Sequence, residues 1–234
     1  MPNIKYGKKV YEGVETISIP LADGSGNVSF SAAGGGNELD VFRYTQSLTN
    51  LFRNVTFPEG YEATITINSE NQEATLEMNS AFQGTDGIEK IKLIRNTTGK
   101  ISASYGFAQS NALRIVDMSE FKPVFSNCGT CFNKCTKLEE IIGELDFSNV
   151  SSIDNAIGSC TSLKEIRFAK DTIGFNVNLV YIGTLSDASV QSLIDSLKDL
   201  TTTEARTLTF HKDIKSKLTE AQLTQITSKN WTLA

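Results

Sequence analysis

Four thiols stand close enough in this sequence to bind a metal or to oxidise: Cys128, Cys131, Cys135 and Cys160. Cys128-x-x-Cys131-x-x-x-Cys135 has the paired spacing that structural zinc prefers, and a Cys128–Cys131 disulfide is a second reading of the same residues. A third competes with both. Cys135 and Cys160 lie 25 residues apart, at one position of an internal repeat, and free Cys is a common small core hydrophobe. The expectation is therefore stacked thiols in a core, with no metal and no cofactor.

Other candidates for chemistry fare no better. His211 is the one histidine, so any Ser–His–Asp or Cys–His arrangement must use it. It lies beside Lys212 and Asp213, and no Gly-x-Ser-x-Gly elbow is present. Glu139 and Glu140 are adjacent on an expected strand, where neighbours point to opposite faces and do not converge as an acid–base pair. Gly34-Gly35-Gly36 lacks the Gly-Lys-Ser/Thr ending of a phosphate loop. No catalytic residue is assigned, and the chain is expected not to be an enzyme.

The elements that must position any site follow from periodicity. Phe82, Phe107, Phe132 and Ile157 are separated by steps of 25 residues. So are Ile88, Leu113, Leu138 and Leu163, and so are Ile91, Val116, Ile141 and Ile166. Three apolar columns with one period mean a stacked array. With Cys135 and Cys160 these residues are the expected repeat core. The third repeat carries Gly143 where the others have an apolar residue, and Leu145 is placed to compensate. The expected fold class is α+β and β-rich: a leucine-rich-repeat solenoid over 82–173.

Around it, residues 1–31 read as a small β element. The stretch from Ala32 to Asn37 is a Gly-rich linker, 38–81 an irregular N-terminal cap, and 174–234 an α+β C-terminal cap. In the last, Val190, Leu193, Ile194, Leu197 and Leu200 form one helical stripe behind Ser186. Thr219 with Gln222 fits a capping box. Arg206 to Phe210 and Asn230 to Leu233 read as strands, as does Asn178 to Ile182.

Composition excludes some partners. The chain has 234 residues, net charge −5 and no basic block, so nucleic acid finds no electrostatic footprint. No apolar run approaches the roughly 18 residues of a membrane span, and Met1 to Pro20 lacks a signal-peptide core.

Phe132-Asn133-Lys134-Cys135-Thr136-Lys137-Leu138 and Ile157-Gly158-Ser159-Cys160-Thr161-Ser162-Leu163 resemble the BspA-like leucine-rich repeats. The likeness covers about residues 80–170, with Ser110 in place of the Cys in the second repeat. The opening, Lys8 to Ile17 with Val28-Ser29-Phe30, is similar to openings of tail and other virion proteins of phages, and Lys229-Asn230-Trp231-Thr232 looks like the close of repeat proteins from such sources. This resemblance implies a virion structural or host-contact protein. BspA-like proteins usually sit on cell surfaces and need an export signal, whereas a particle protein assembles in the host cytoplasm and leaves by lysis.

The expected binding surface is the outward strand columns: Lys92, Asp117, Ile142 and Arg167, and beside them Lys90, Ile115, Glu140 and Glu165. Mixed charge with Ile suits a host surface protein or glycan. Residues 1–31 are expected to join other virion proteins, and virion symmetry implies a homo-oligomer. A bacterial interaction module outside any virion is the alternative.

Overall fold

The computed structural model describes residues 3–6, 9–11, 16–20, 26–33, 38–41, 48–69, 72–73, 75–153 and 155–234. The glycine-rich stretch from Gly34 to Asn37 lies outside them. In chain order the strands are β1 (Asn3–Tyr6), β2 (Lys9–Tyr11), β3 (Thr16–Pro20), β4 (Gly26–Ala33), β5 (Glu38–Val41), β6 (Thr56–Ser69), β7 (Leu76–Glu77), β8 (Asp86–Arg95), β9 (Ile101–Ser102), β10 (Ile115–Glu120), β11 (Phe125–Asn127), β12 (Glu140–Leu145), β13 (Glu165–Phe168) and β14 (Val177–Leu179). Then come α1 (Asp187–Ser196), β15 (Arg206–Phe210), α2 (Lys212–Lys215), α3 (Glu220–Ser228) and β16 (Trp231–Leu233).

The main sheet has seven strands in the order β13-β12-β10-β8-β6-β4-β3. Pairing is parallel from β6 to β13 and antiparallel at β6–β4 and β4–β3. Parallel sheets β7-β9-β11 and β14-β15-β16 and a sheet β2-β1-β5 complete the described strands. The architecture is mixed α/β with parallel sheets and is mostly strand. This corrects the expected α+β leucine-rich-repeat solenoid. One sheet runs on from the periodic strands through β6 into β4 and β3, and the C-terminal helices alternate with the parallel strands β14, β15 and β16 rather than standing apart from them. The period reports which residues stack. It does not report which unperiodic strands extend the sheet.

Stacking follows from register. Ile115 pairs with Lys90 on one side and Glu140 on the other, and Val116 with Ile91 and Ile141, so the 25-residue step is the pairing step of the parallel ladder. Every expected core residue is at most 2% exposed. Phe52, Phe82, Phe107 and Phe132 form a ring stack with centroids 5.3, 5.1 and 4.9 Å apart. Burying such side chains stabilises by roughly 1.5–3 kcal/mol each.

The sheet edge at β13 is closed by α1. An open edge would leave backbone N–H groups unpaired. Instead the amides of Ile166 and Phe168 donate to the hydroxyls of Ser189 and Ser192, at 3.0 and 2.9 Å. Ser186 caps this helix, its hydroxyl accepting from the Ser189 amide at 3.2 Å. At the far end, Thr219 and Gln222 form the reciprocal capping box of α3. The expected strand from Asn178 to Ile182 stops instead at Leu179. The Asn178 side chain accepts from the amide of Val180 at 3.1 Å, an Asx turn that bends the chain away.

Gly143 resolves the irregular third repeat. Between β12 and β13 the register runs Glu140↔Glu165 and then Glu144↔Arg167, Leu145↔Phe168. The extra residues bulge out at Gly143, with φ +104°, and Leu145 fills the buried position opposite Phe168. A Cβ on Gly143 would lie 2.8 Å from the Met118 carbonyl carbon. Gly143→Ala is therefore expected to lose about 2–4 kcal/mol, from positive φ and overpacking together. Gly60→Ala, also at positive φ but with nothing within 4 Å, is expected to lose no more than about 2 kcal/mol. Urea denaturation of both variants checks the difference, and equal losses would refute the steric account.

Candidate functional site

The face of the main sheet turned away from the core carries the two outward columns. Lys90, Ile115, Glu140 and Glu165 lie in one paired row, which Glu62 extends on β6. In the second row Thr64, Lys92, Asp117 and Ile142 are paired neighbours, but Arg167 is not. The bulge at Gly143 places Arg167 opposite Glu144. All eight expected face residues are half-buried.

Part of the charge on this face is internally paired. Lys92 bridges to Glu120. Burial pushes the Asp117 carboxyl up, but bonds from the Ser119 hydroxyl and amide, with Lys92 and Lys90 nearby, outweigh it and hold the carboxyl below its usual range. Arg167 is tied down by Glu165 at 3.1 Å and by the Ser189 hydroxyl at 2.9 Å. A further row at the rim escaped the sequence reading. Glu89, Arg114, Glu139 and Lys164 alternate in sign at the 25-residue step. Arg114 lies 2.9 Å from Glu139 and 3.9 Å from Glu89, and Lys164 lies 3.5 Å from Glu139. The hydrogen bond from Arg114, with the charges of Arg114 and Lys164, lowers the Glu139 pKa. Glu139 thus belongs to the rim and Glu140 to the face. Exposed pairs of this kind contribute little stability, but opposite charges at each step favour one register.

The cysteines lie inside the stack. All four are free and buried. The Cys135 thiol donates to the Phe107 carbonyl at 2.9 Å, and the Cys160 thiol to the Phe132 carbonyl at 3.0 Å. One turn earlier Ser110 takes the same place, donating to the Phe82 carbonyl at 2.7 Å while accepting from Thr85 at 2.9 Å. The column is therefore more than packing: each member is a donor to a buried carbonyl of the preceding turn. Among the described residues no three His, Cys, Asp or Glu side chains converge as a metal site.

His211 caps the short helix α2, its Nδ1 accepting from the Asp213 amide at 3.2 Å. The ring lies against Gly183, where a Cβ would meet Nδ1 at 2.6 Å. Both observations fit a packing role.

A second surface feature had no sequence signal. A groove of about 450 Å³ opens beside the small C-terminal sheet, lined by Asn155, Asn176, Asn178, Tyr181, Thr207 and Thr209 among others. No helix among the described residues is long and apolar enough to cross a membrane.

No family model matches the chain, and neither a curated protein nor a solved structure is detectably similar to it.

Because Ser110 performs the donor task with oxygen, Cys135→Ser is expected to stay within about 1 kcal/mol of the parent, whereas Cys135→Ala withdraws a donor and loses about 1–3 kcal/mol. Denaturant titration ranks the two variants. Burial raises the Cys135 pKa to about 12. A raised thiol pKa favours the folded state below the unfolded value of about 8.5. That contribution is lost as pH climbs from there toward about 12, because the unfolded thiol ionises first. Stability should thus fall between about pH 8.5 and 10, and fall less in Cys135→Ser.

Proposed function

We propose that the chain is a non-enzymatic structural or accessory protein of a phage particle. In this reading the N-terminal strands contribute to attachment and the outward sheet face meets a host surface protein or glycan, or a neighbouring subunit of a homo-oligomer. The observation that carries the binding part is the sheet face itself. It is a half-exposed parallel surface of at least four strands, with Lys90, Lys92, Asp117, Glu140 and Glu165 interspersed with Ile115 and Ile142. Mixed charge with aliphatic side chains suits a protein-like or glycan surface better than a polyanion. The non-enzymatic part is supported by the employment of each candidate reactive group in structure: Cys135 and Cys160 on carbonyls, His211 on a helix cap, Glu139 in an ion-pair row. The particle part is supported by the likeness of the opening of the sequence to openings of phage virion proteins, and of its close to repeat proteins from such sources.

Mass spectrometry of density-banded particles from a lysate that expresses this chain tests the assignment. The chain is expected in the particle band, and its absence there returns it to the free interaction modules. Within particles, the double variant Lys90→Glu/Lys92→Glu is expected to incorporate normally and to adsorb to cells at least about tenfold more slowly. These lysines are preferable to Arg167, whose bonds to Glu165 and Ser189 tie it to the fold. Unchanged adsorption would show that the face contacts no host.

A further inference from the structure

The groove beside β14 and β15 differs in kind from the charged sheet face. Asn178 on β14 pairs in register with Thr209 on β15. Strand alternation puts Asn178, Thr207 and Thr209 on the outer side of that sheet, while Val177, Leu179, Leu208 and Phe210 are buried on the inner side. Asn176, just before β14, joins the outer side by accepting from the Thr207 amide through its side-chain oxygen at 2.9 Å. Asn155 also lines the groove. Apart from the Tyr181 phenol, none of the lining residues among those described is ionisable, in a chain with 21% charged residues.

Two of the amides are held ready. The oxygens of Asn176 and Asn178 are engaged by the backbone amides of Thr207 and Val180. Each bond fixes the amide orientation and leaves the NH₂ end as a donor. Among the described residues none takes the hydroxyl of Thr207 or Thr209, so both can donate and accept. Tyr181, at the turn made by the Asn178 side chain, is 70% exposed. No other large hydrophobic side chain among the described residues is so exposed. An exposed aromatic ring beside an array of neutral donors and acceptors offers a ligand an apolar face to stack on. A partner that suits all of these features has many hydroxyls, an apolar C–H face and no charge.

We infer that this groove binds a neutral carbohydrate of about two to four sugar units. The hydroxyls bond to Asn155, Asn176, Asn178, Thr207 and Thr209, and one sugar ring stacks on Tyr181. The site stands apart from the sheet face and does not require the chain to be part of a particle.

The test applies the full-length chain to a printed array of neutral di- to tetrasaccharides of glucose, galactose, mannose and N-acetylhexosamines, with sialylated and sulfated glycans as an acidic arm. Retention on a neutral glycan is expected. Tyr181→Ala and Thr209→Val should each reduce it at least about tenfold, and Lys90→Glu/Lys92→Glu should leave it unchanged. Tyr181 is exposed, so its replacement should not affect folding, and matching thermal melts confirm this. Retention of no neutral glycan overturns the inference. So does retention confined to acidic glycans, or retention that survives both groove variants. Loss of signal in the lysine variant alone would move glycan binding to the sheet face and also overturn it.

Discussion

The structure depends on what happens to carbonyls where the chain turns inside the stack. A residue such as Phe107 must bury its ring between Phe82 and Phe132, which brings its carbonyl into the core with two lone pairs and no water. The amide three residues on takes one, Ser110 N to Phe107 O at 3.2 Å. The next turn must supply the other, and the Cys135 thiol does so. Leaving such an acceptor without a partner costs on the order of 1–3 kcal/mol. That constraint selects a small side chain with an X–H group at one position per turn. Ser110, Cys135 and Cys160 fit it, Thr85 at the head of the series gives its hydroxyl to Ser110 instead, and the series ends 25 residues after Cys160 at Leu185, where the main sheet has also ended.

Once the turns are locked to one another, the ladder follows. Amides of Ser80, Phe82 and Gly84 donate to carbonyls of Ser104, Gly106 and Ala108, and those of Tyr105, Phe107 and Gln109 to Gly129, Cys131 and Asn133. The spacing thereby set on the turn side sets the strand register on the sheet side. The bulge at Gly143 is the exception. Its glycine lets the β12 backbone pass within contact distance of Met118, and the shift moves Arg167 out of the second outward row toward α1. The same displacement serves the sheet edge, since Arg167 and the Ile166 amide both meet Ser189 there.

Much of this was legible where one residue type has one physical use. Three apolar columns at a fixed step could only be a stacked core, and Ser186 and Thr219 ahead of apolar stripes could only be helix starts. The sheet's extension through β6 to β4 and β3 was not legible, because those strands share no period with the rest and the β3–β4 hairpin meets β6 only by long-range pairing. Nor was the closure of the edge by Ser189 and Ser192: serines within a helix ordinarily signal solvent or a cap, not the pairing of a strand. Of the site, the outward columns were readable as alternation. The misfit of Arg167 was not, since a bulge is invisible until the partner strand is known. The groove carries residues from three separate segments, so no local pattern announces it.

The two surfaces divide the chain's polar side chains by type. On the main sheet most polar outward residues are long and charged, and several neutralise one another along the rim from Glu89 to Lys164 and across the face from Lys92 to Glu120. A partner there must exchange existing ion pairs for new ones, which favours discrimination between surfaces over raw affinity. On the C-terminal sheet the outward residues are short and neutral, and the two amides among them, Asn176 and Asn178, are already oriented by backbone bonds. Little side-chain entropy remains to be lost on binding, and no ion pair has to be broken. Short amides and hydroxyls reach only a ligand that lies close against the strands, and the adjoining Tyr181 supplies the apolar contact they lack. Selectivity of the proposed contacts would therefore rest on charge pattern at the first surface, and on shape and hydrogen-bond direction at the second. Salt is consequently the variable that separates them, weakening contacts made through Lys90 and Lys92 and leaving those made through Asn178 and Thr209 nearly untouched.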